Sequence, residues 1–140
     1  MFYFAYGSNM NHQQMRTRCP EAKFLFRAVL ESHSFVYDGW SLMHRGAVAN
    51  IVPKKNGTVW GGVYETLEAH RDTLDNYEGY PSHYDRKGVS VVDDSRDLHA
   101  VFVYFRQGEA PGSPSDEYRQ TVLRGARDCD LPEEYTEKFL

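Results

Sequence analysis

The stretch Phe2-Tyr3-Phe4-Ala5-Tyr6-Gly7-Ser8-Asn9 joins a short aromatic segment directly to a glycine turn. Aromatic residues favour β-strands, and a glycine followed by Ser and Asn is typical of a tight turn. Ser8, Asn9 or Asn11 can then cap a helix over roughly residues 11–18, which Pro20 ends. The stretch therefore predicts a strand, a turn and a helix in immediate succession.

The middle of the chain is rich in strand patterns. The predicted strands are 24–37 (one long strand or a bent pair), 47–52, 59–64, 88–92 and 98–105. Asp38-Gly39 is expected to end the first of them. Asn56-Gly57 predicts a type I′ hairpin turn between the second and third, and Asp93-Asp94-Ser95 predicts a turn between the last two. The paired glycines Gly61 and Gly62 indicate a bulge or a close backbone approach.

Helical spacing of apolar residues recurs over 67–77, from Asp116 onward, and after Leu131-Pro132. Strands joined by hairpins form a mostly antiparallel or mixed sheet, and the helices are expected outside it. The predicted fold class is α+β, with a curved sheet or a small barrel and flanking helices. A chain of 140 residues fits one domain over 1–140.

Composition narrows the classes of partner. Sixteen basic and 20 acidic residues give a net charge of −4, and like charges do not cluster. Nucleic-acid binding and a polybasic membrane-surface patch are therefore disfavoured, because both need clustered Lys and Arg. The aromatic content of 14 %, with ten tyrosines, fits either a wet pocket or a β-rich fold, since tyrosine pairs an apolar ring with a hydroxyl.

Cysteine and histidine positions suggest no metal or disulfide chemistry. Cys19 and Cys129 lack motif spacing, and the six histidines form no His-x-x-x-His pair. The opening residues MFYFAYGSNM lack the basic region of a secretory signal. We therefore expect no metal, a reducing compartment and a cytoplasmic location.

Two segments could carry chemistry. The Gly7-Ser8-Asn9 turn can point backbone N–H groups at a small anion or carbonyl, although an ordinary strand-to-helix connection has the same pattern. Glu78 lies where a helix should end, beside Tyr77, Tyr80 and Tyr84. A carboxylate among aromatic rings can have a raised pKa and transfer protons, and a solvated glutamate at a helix end is the alternative.

Several motifs, in order, resemble the γ-glutamyl cyclotransferase family across nearly the whole chain. The matching segments are Tyr3–Met10, Val59–Tyr64, Leu74–Gly79, Tyr84–Val91, Pro114–Tyr118, Gly125–Arg127 and Leu131–Tyr135. The resemblance implies a small mixed β-barrel with flanking helices, no cofactor, and a homodimer. It also implies the conversion of a γ-glutamyl amino acid into 5-oxoproline and a free amino acid.

The resemblance also implies roles for individual residues. Glu78 falls on the catalytic glutamate of the family. The implied substrate-binding residues are Tyr3, Phe4, Ala5, Tyr6, Gly7, Ser8, Asn9, Tyr84 and Tyr118. Relatives that act on γ-glutamyl-amines or on glutathione tend to have Leu after Gly-Thr or Gly-Ser, so Asn9 is similar to the dipeptide-acting type.

Three functions stay open at this point. The first is the cyclotransferase, in which the substrate's own α-amino group attacks its γ-carbonyl and Glu78 moves the protons. The second is a non-catalytic module that binds small molecules in the same pocket. The third is a cyclotransferase that acts on γ-glutamyl-amines or on a γ-glutamyl-protected biosynthetic intermediate.

Overall fold

Five strands close into a barrel, with helices packed outside it, in a computed structural model that describes all 140 residues. The elements in chain order are β1 (Phe2–Ala5), a single 3-10 turn (Ser8–Met10), α1 (His12–Arg18), β2 (Lys23–Ser41), β3 (Gly46–Glu65), α2 (Glu68–Glu78), β4 (Asp85–Val92), β5 (Leu98–Phe105), α3 (Asp116–Asp128) and α4 (Glu133–Phe139). The barrel order is β1-β3-β2-β4-β5. The pair β1–β5 is parallel and the other pairs are antiparallel. The predicted α+β class with a small mixed barrel is confirmed.

The hairpin predicted at Asn56-Gly57 is wrong. Residues 47–52 and 59–64 both belong to β3, and both pair with β2 rather than with each other. The register runs from Glu31↔Thr58 to His33↔Pro53, so residues 54–57 bulge out of one continuous strand. Asn56 does adopt the left-handed conformation that its type tolerates, with φ 62°, but its turn lies inside a strand.

The true connection between β2 and β3 is the turn 42–45. Asp38-Gly39 does not end β2, which continues to Ser41 with a shift in register between Asp38 and Ser41. Gly39 has φ 65°, so the glycine allows the strand to bend without ending. The long β2–β3 hairpin consequently places its tip at one end of the barrel, beside the segment that leads into α3, where Ala47 N donates to Ser113 O.

The paired glycines mark close approaches, as predicted. A Cβ on Gly61 would lie 2.4 Å from the Ala5 carbonyl oxygen, and a Cβ on Gly62 would lie 2.6 Å from Cys129 Sγ. No other residue type would let β1 and the end of α3 pack this tightly against β3. Both cysteines are buried and free.

The helix that follows β1 begins where the sequence indicates. The Asn11 side chain accepts a hydrogen bond of 3.0 Å from Gln14 N, which satisfies one of the free N–H groups of the first turn. Helix α2 ends directly after Glu78, because Gly79 has φ 66° and adopts the left-handed conformation that commonly follows a helix. No helix in the structure is long and apolar enough to span a membrane.

Candidate active site

A cavity of about 120 Å³ lies where the turn after β1 meets the end of α2. Eight of the residues proposed from the sequence line it: Tyr3, Tyr6, Gly7, Ser8, Asn9, Glu78, Tyr84 and Tyr118. Phe4 and Ala5 belong to the same strand and are buried in the hydrophobic core, and neither lines the cavity. The alternation of β1 explains this for Phe4, whose side chain points away from that of Tyr3.

Glu78 is the acidic group of this cavity. It is the last residue of α2, and burial raises the pKa of its carboxyl from 4.5 to about 7, against the opposing charges of Arg18 and Arg106. The carboxyl therefore exists in both protonation states near neutral pH. Tyr84 N donates to the Glu78 carbonyl oxygen at 3.2 Å, so the chain folds back and brings Tyr84 to the same site.

Asn9 connects the turn to Glu78. Its Oδ1 accepts from Gln14 Nε2 at 2.8 Å and from Arg18 Nη1 at 3.0 Å. Because two donors face Oδ1, the amide can only present Nδ2 to the other side, where it lies 3.1 Å from Tyr3 Oη and 3.5 Å from Glu78 Oε1. The side chain thus has one fixed orientation toward the carboxyl.

Two tyrosine hydroxyls are held by the backbone of Ala49 in β3. Tyr84 Oη donates to Ala49 O at 2.6 Å, whereas Tyr118 Oη accepts from Ala49 N at 3.1 Å. Burial raises the pKa of both phenols above the ordinary value, so both stay protonated at neutral pH. Because the Tyr118 hydroxyl accepts from the protein, its own proton remains available to a ligand.

A buried ion pair supports Tyr84 from behind. The Arg106 guanidinium lies 4.8 Å from the centre of the Tyr84 ring, and its Nη2 is 2.7 Å from Asp38 Oδ1. Asp38 is only 1 % exposed, and its other oxygen accepts from Asn50 Nδ2 and Glu109 N. This network fixes the wall of the cavity that faces Glu78.

The sequence placed Tyr77 beside Glu78, but it gave no place in the site to the other lining residues, which are Arg18, Ser41, Met43, His44, Val48, Ala49, His83 and Tyr104. One signal was present, because Gln14 and Arg18 are spaced i,i+4 and share a face of α1. Tyr104, on β5, is buried and also lines the cavity. The Arg18 guanidinium lies 4.2 Å from the centre of the Tyr77 ring, which places a cation beside Glu78.

The cavity offers a particular set of chemical groups. It contains one carboxyl with a pKa near neutrality, one guanidinium, phenolic hydroxyls and a glycine turn. No group of three or more His, Cys, Asp or Glu side chains is placed to hold a metal ion. The available groups can bind a small polar molecule and transfer protons to and from it.

Comparison with known proteins identifies the family of the chain. Residues 3–121 match the family described as gamma-glutamyl cyclotransferase, AIG2-like. The gamma-glutamylcyclotransferases of Mus musculus and Homo sapiens are 30 % and 29 % identical, each covering 98 % of this chain and 76 % of its own length. A solved structure named gamma-glutamyl cyclotransferase superposes with a TM-score of 0.93 at 28 % identity, over 99 % of this chain and 85 % of that one. The chain therefore belongs to the gamma-glutamyl cyclotransferase, AIG2-like family, and is an enzyme of this kind.

Proposed function

We propose that the protein converts γ-glutamyl amino acids into 5-oxoproline and the free amino acid. The observation that carries the proposal is the carboxyl of Glu78, which faces the cavity with a pKa of about 7 and is connected through Asn9 to the Gly7-Ser8-Asn9 turn. Family membership supports the reaction class. The specific product and the role of Glu78 are part of the proposal.

The reaction is an intramolecular aminolysis. A bond forms between the substrate's α-amino nitrogen and its γ-carbonyl carbon, and the amide bond from that carbon to the leaving nitrogen breaks. The α-ammonium loses two protons to become the lactam NH, and the departing nitrogen gains two to leave as an ammonium, so no oxidant or cofactor is needed to balance the reaction. Because the nucleophile is already tethered, orientation within the cavity supplies much of the rate, with effective molarities of about 10⁵–10⁸ M for well-oriented cases.

Glu78 is suited to move these protons. A base must be ionised to accept a proton from the α-ammonium, and the resulting acid must be strong enough to protonate the leaving amine. A carboxyl whose pKa lies near 7 can perform both steps at neutral pH, and such transfer contributes about 10²–10⁴-fold to rate. Arg18 and Arg106 lower that pKa and so keep the base partly ionised despite its burial.

The glycine turn is proposed to hold the substrate's carboxylate or the oxyanion that develops on the γ-carbonyl. A Cβ on Gly7 would lie 2.9 Å from Ala49 Cβ and 3.8 Å from Tyr118 Oη, so only glycine lets the main chain line this wall so closely. The adjoining one-turn helix begins at Ser8, and the first N–H groups of a helix have no partner within it. One such donor to an oxyanion is worth about 3 kcal/mol.

The experiment is incubation of the protein with γ-glutamyl dipeptides, γ-glutamyl-amines and glutathione, with mass-spectrometric detection of 5-oxoproline. We expect 5-oxoproline from the dipeptides, and none above background from Glu78→Gln. Glu68→Gln, a change of the same type at an exposed position of α2, should retain wild-type turnover. Binding of these ligands with no ring product would indicate the non-catalytic module, and turnover of the amines alone would indicate the third function.

We also propose that residues 1–140 form a single domain, that two copies of the chain form a homodimer, and that the protein is located in the cytoplasm. The homodimer follows from the resemblance, and the location from the lack of paired cysteine motifs. Light scattering of the purified protein tests the dimer, because a mass near 16.2 kDa would identify a monomer.

A further inference from the structure

A second cavity adjoins the candidate active site. It has a volume of about 470 Å³ and shares Met43, His44 and Tyr118 with the first cavity. Three shared lining residues make the two spaces neighbours across the tip of the β2–β3 hairpin. The other lining residues of the second cavity are all polar or charged, with Arg45 and Glu117 among them.

Arg45 is a cation without a partner. Its guanidinium makes no ion pair and no hydrogen bond within the protein, while its backbone N donates to Ser41 O at 2.8 Å. The residue has φ 56°, a left-handed conformation that costs a residue with a side chain more than glycine and that often occurs at functional positions. The turn therefore presents an arginine where glycine would fold more easily.

The other charged groups around this cavity do not replace Arg45. Burial lowers the pKa of His44, so that imidazole is neutral at neutral pH. Arg18 lines only the first cavity, where its guanidinium is bonded to Asn9 Oδ1 and stacked on Tyr77. Glu117 is anionic and would repel a carboxylate. Arg45 is thus the cation of the second cavity.

We infer that the second cavity is the leaving-group subsite and that Arg45 binds the carboxylate of the leaving amino acid. This inference rests on the proposed function. The first cavity, at about 120 Å³, is smaller than the roughly 300–1,000 Å³ of sites for larger ligands, so it suits the γ-glutamyl group alone. The amino acid beyond the scissile amide then extends past Met43 and His44. A γ-glutamyl amino acid carries a carboxylate at that end, whereas a γ-glutamyl-amine does not.

The test compares two substrates that differ only in that charge, γ-glutamyl-alanine and γ-glutamyl-alaninamide. We expect wild type to prefer the carboxylate, and Arg45→Gln to reduce the ratio of the two kcat/KM values about tenfold, the scale of one charge-assisted hydrogen bond at a partly exposed site. The change should appear in KM, and Arg45→Lys should restore part of the ratio. Arg124→Gln removes the same charge from an exposed position outside both cavities and should leave the ratio at its wild-type value.

An equal loss on both substrates, an unchanged ratio, or a selective loss in Arg18→Gln instead would overturn the inference. Calorimetric binding of both ligands to Glu78→Gln and to Glu78→Gln/Arg45→Gln separates this result from failure of the proposed function. If wild type forms no 5-oxoproline, the proposed reaction fails, and the binding ratio then tests only whether Arg45 binds the carboxylate of the ligand. Loss of carboxylate preference in the double variant supports the subsite, and equal ratios in the two variants refute it.

Discussion

Asn9 Nδ2 lies 3.5 Å from Glu78 Oε1, and this contact joins the turn after β1 to the last residue of α2. The donors Gln14 and Arg18 determine which end of the Asn9 amide faces the carboxyl. Asn9, which is far from Glu78 in sequence, therefore orients the carboxyl of this candidate base.

Asn9→Ala should remove the contact between the turn after β1 and the Glu78 carboxyl. We expect kcat to fall about 10–100-fold, because a modest displacement of a reacting group has an effect of this size. Tyr3 Oη would also lose its donor from Asn9. Steady-state kinetics measure the effect, and circular dichroism shows whether the fold persists. Unchanged kinetics would mean that Asn9 has no part in placing the carboxyl.

The pH dependence of activity should follow Glu78. We expect kcat/KM to rise with pH as a single titration centred near 7, because the base must be ionised and its pKa is about 7. Below that midpoint the rate should fall about tenfold per pH unit. A midpoint near 4.5, the ordinary value for Glu, would contradict a buried base.

The same pKa has a consequence for stability. The folded protein retains the Glu78 proton up to about pH 7, whereas the unfolded chain loses it near 4.5. The folded state therefore binds more protons between these values, and the free energy of unfolding should decrease as pH rises through this window. Glu78→Gln should remove that decrease and be more stable than wild type at pH 8 by about 3 kcal/mol. Urea unfolding at pH 5 and pH 8 measures it, and an identical pH dependence in both proteins would be the contrary result.

Gly7→Ala tests the close approach at the turn. The new Cβ would come 2.9 Å from Ala49 Cβ, so β3 or the turn must shift, at a cost of about 1–3 kcal/mol. We expect lower stability together with a loss of kcat/KM. Gly88→Ala is the matched control, because its Cβ would meet only Val101 O at 4.0 Å. Equal behaviour of the two variants would argue against a tight turn.

Arg106→Met tests the support behind Tyr84. The substitution leaves Asp38, 1 % exposed, as an uncompensated buried charge, and removal of one partner of such a pair costs about 3–5 kcal/mol. Arg27→Met disrupts an exposed pair with Asp94 and should cost less than about 1 kcal/mol. Thermal and urea unfolding measure both variants. A loss in Arg106→Met no larger than that in Arg27→Met would show that the buried network adds no more stability than an exposed pair.

Local patterns predicted most elements but not the longest hairpin. Asn56-Gly57 has the composition of a tight turn, and Asn56 takes the left-handed conformation, yet the strand continues on both sides. The reason lies in β2, which is long enough to pair with both halves of β3 and bends at its own positive φ, at Ser32. The length of the neighbouring strand with which β3 pairs is a tertiary property, so it cannot be read from a short stretch of sequence around Asn56.

Some residues of the candidate site were predictable from the sequence, and others were not. Glu78, the glycine turn and Tyr118 belong to recognisable motifs, and the cavity contains all of them. Arg18 shares a face of α1 with Gln14, which is the one sign of its position in the sequence, whereas the neighbours of Tyr104 in sequence give no sign that it lines the cavity. Phe4 and Ala5 belong to the motif because they build the strand, although their positions lie in the core.

The backbone of Ala49 has a further consequence for how the enzyme loses activity. Its N–H and C=O groups bond to Tyr118 from α3 and to Tyr84 ahead of β4, so two separate parts of the chain meet at one peptide segment. If either part detaches, a buried main-chain group loses its partner and the cavity loses a wall at the same moment. Assembly of the site is therefore cooperative with completion of the barrel, and inactivation and unfolding should proceed as one event.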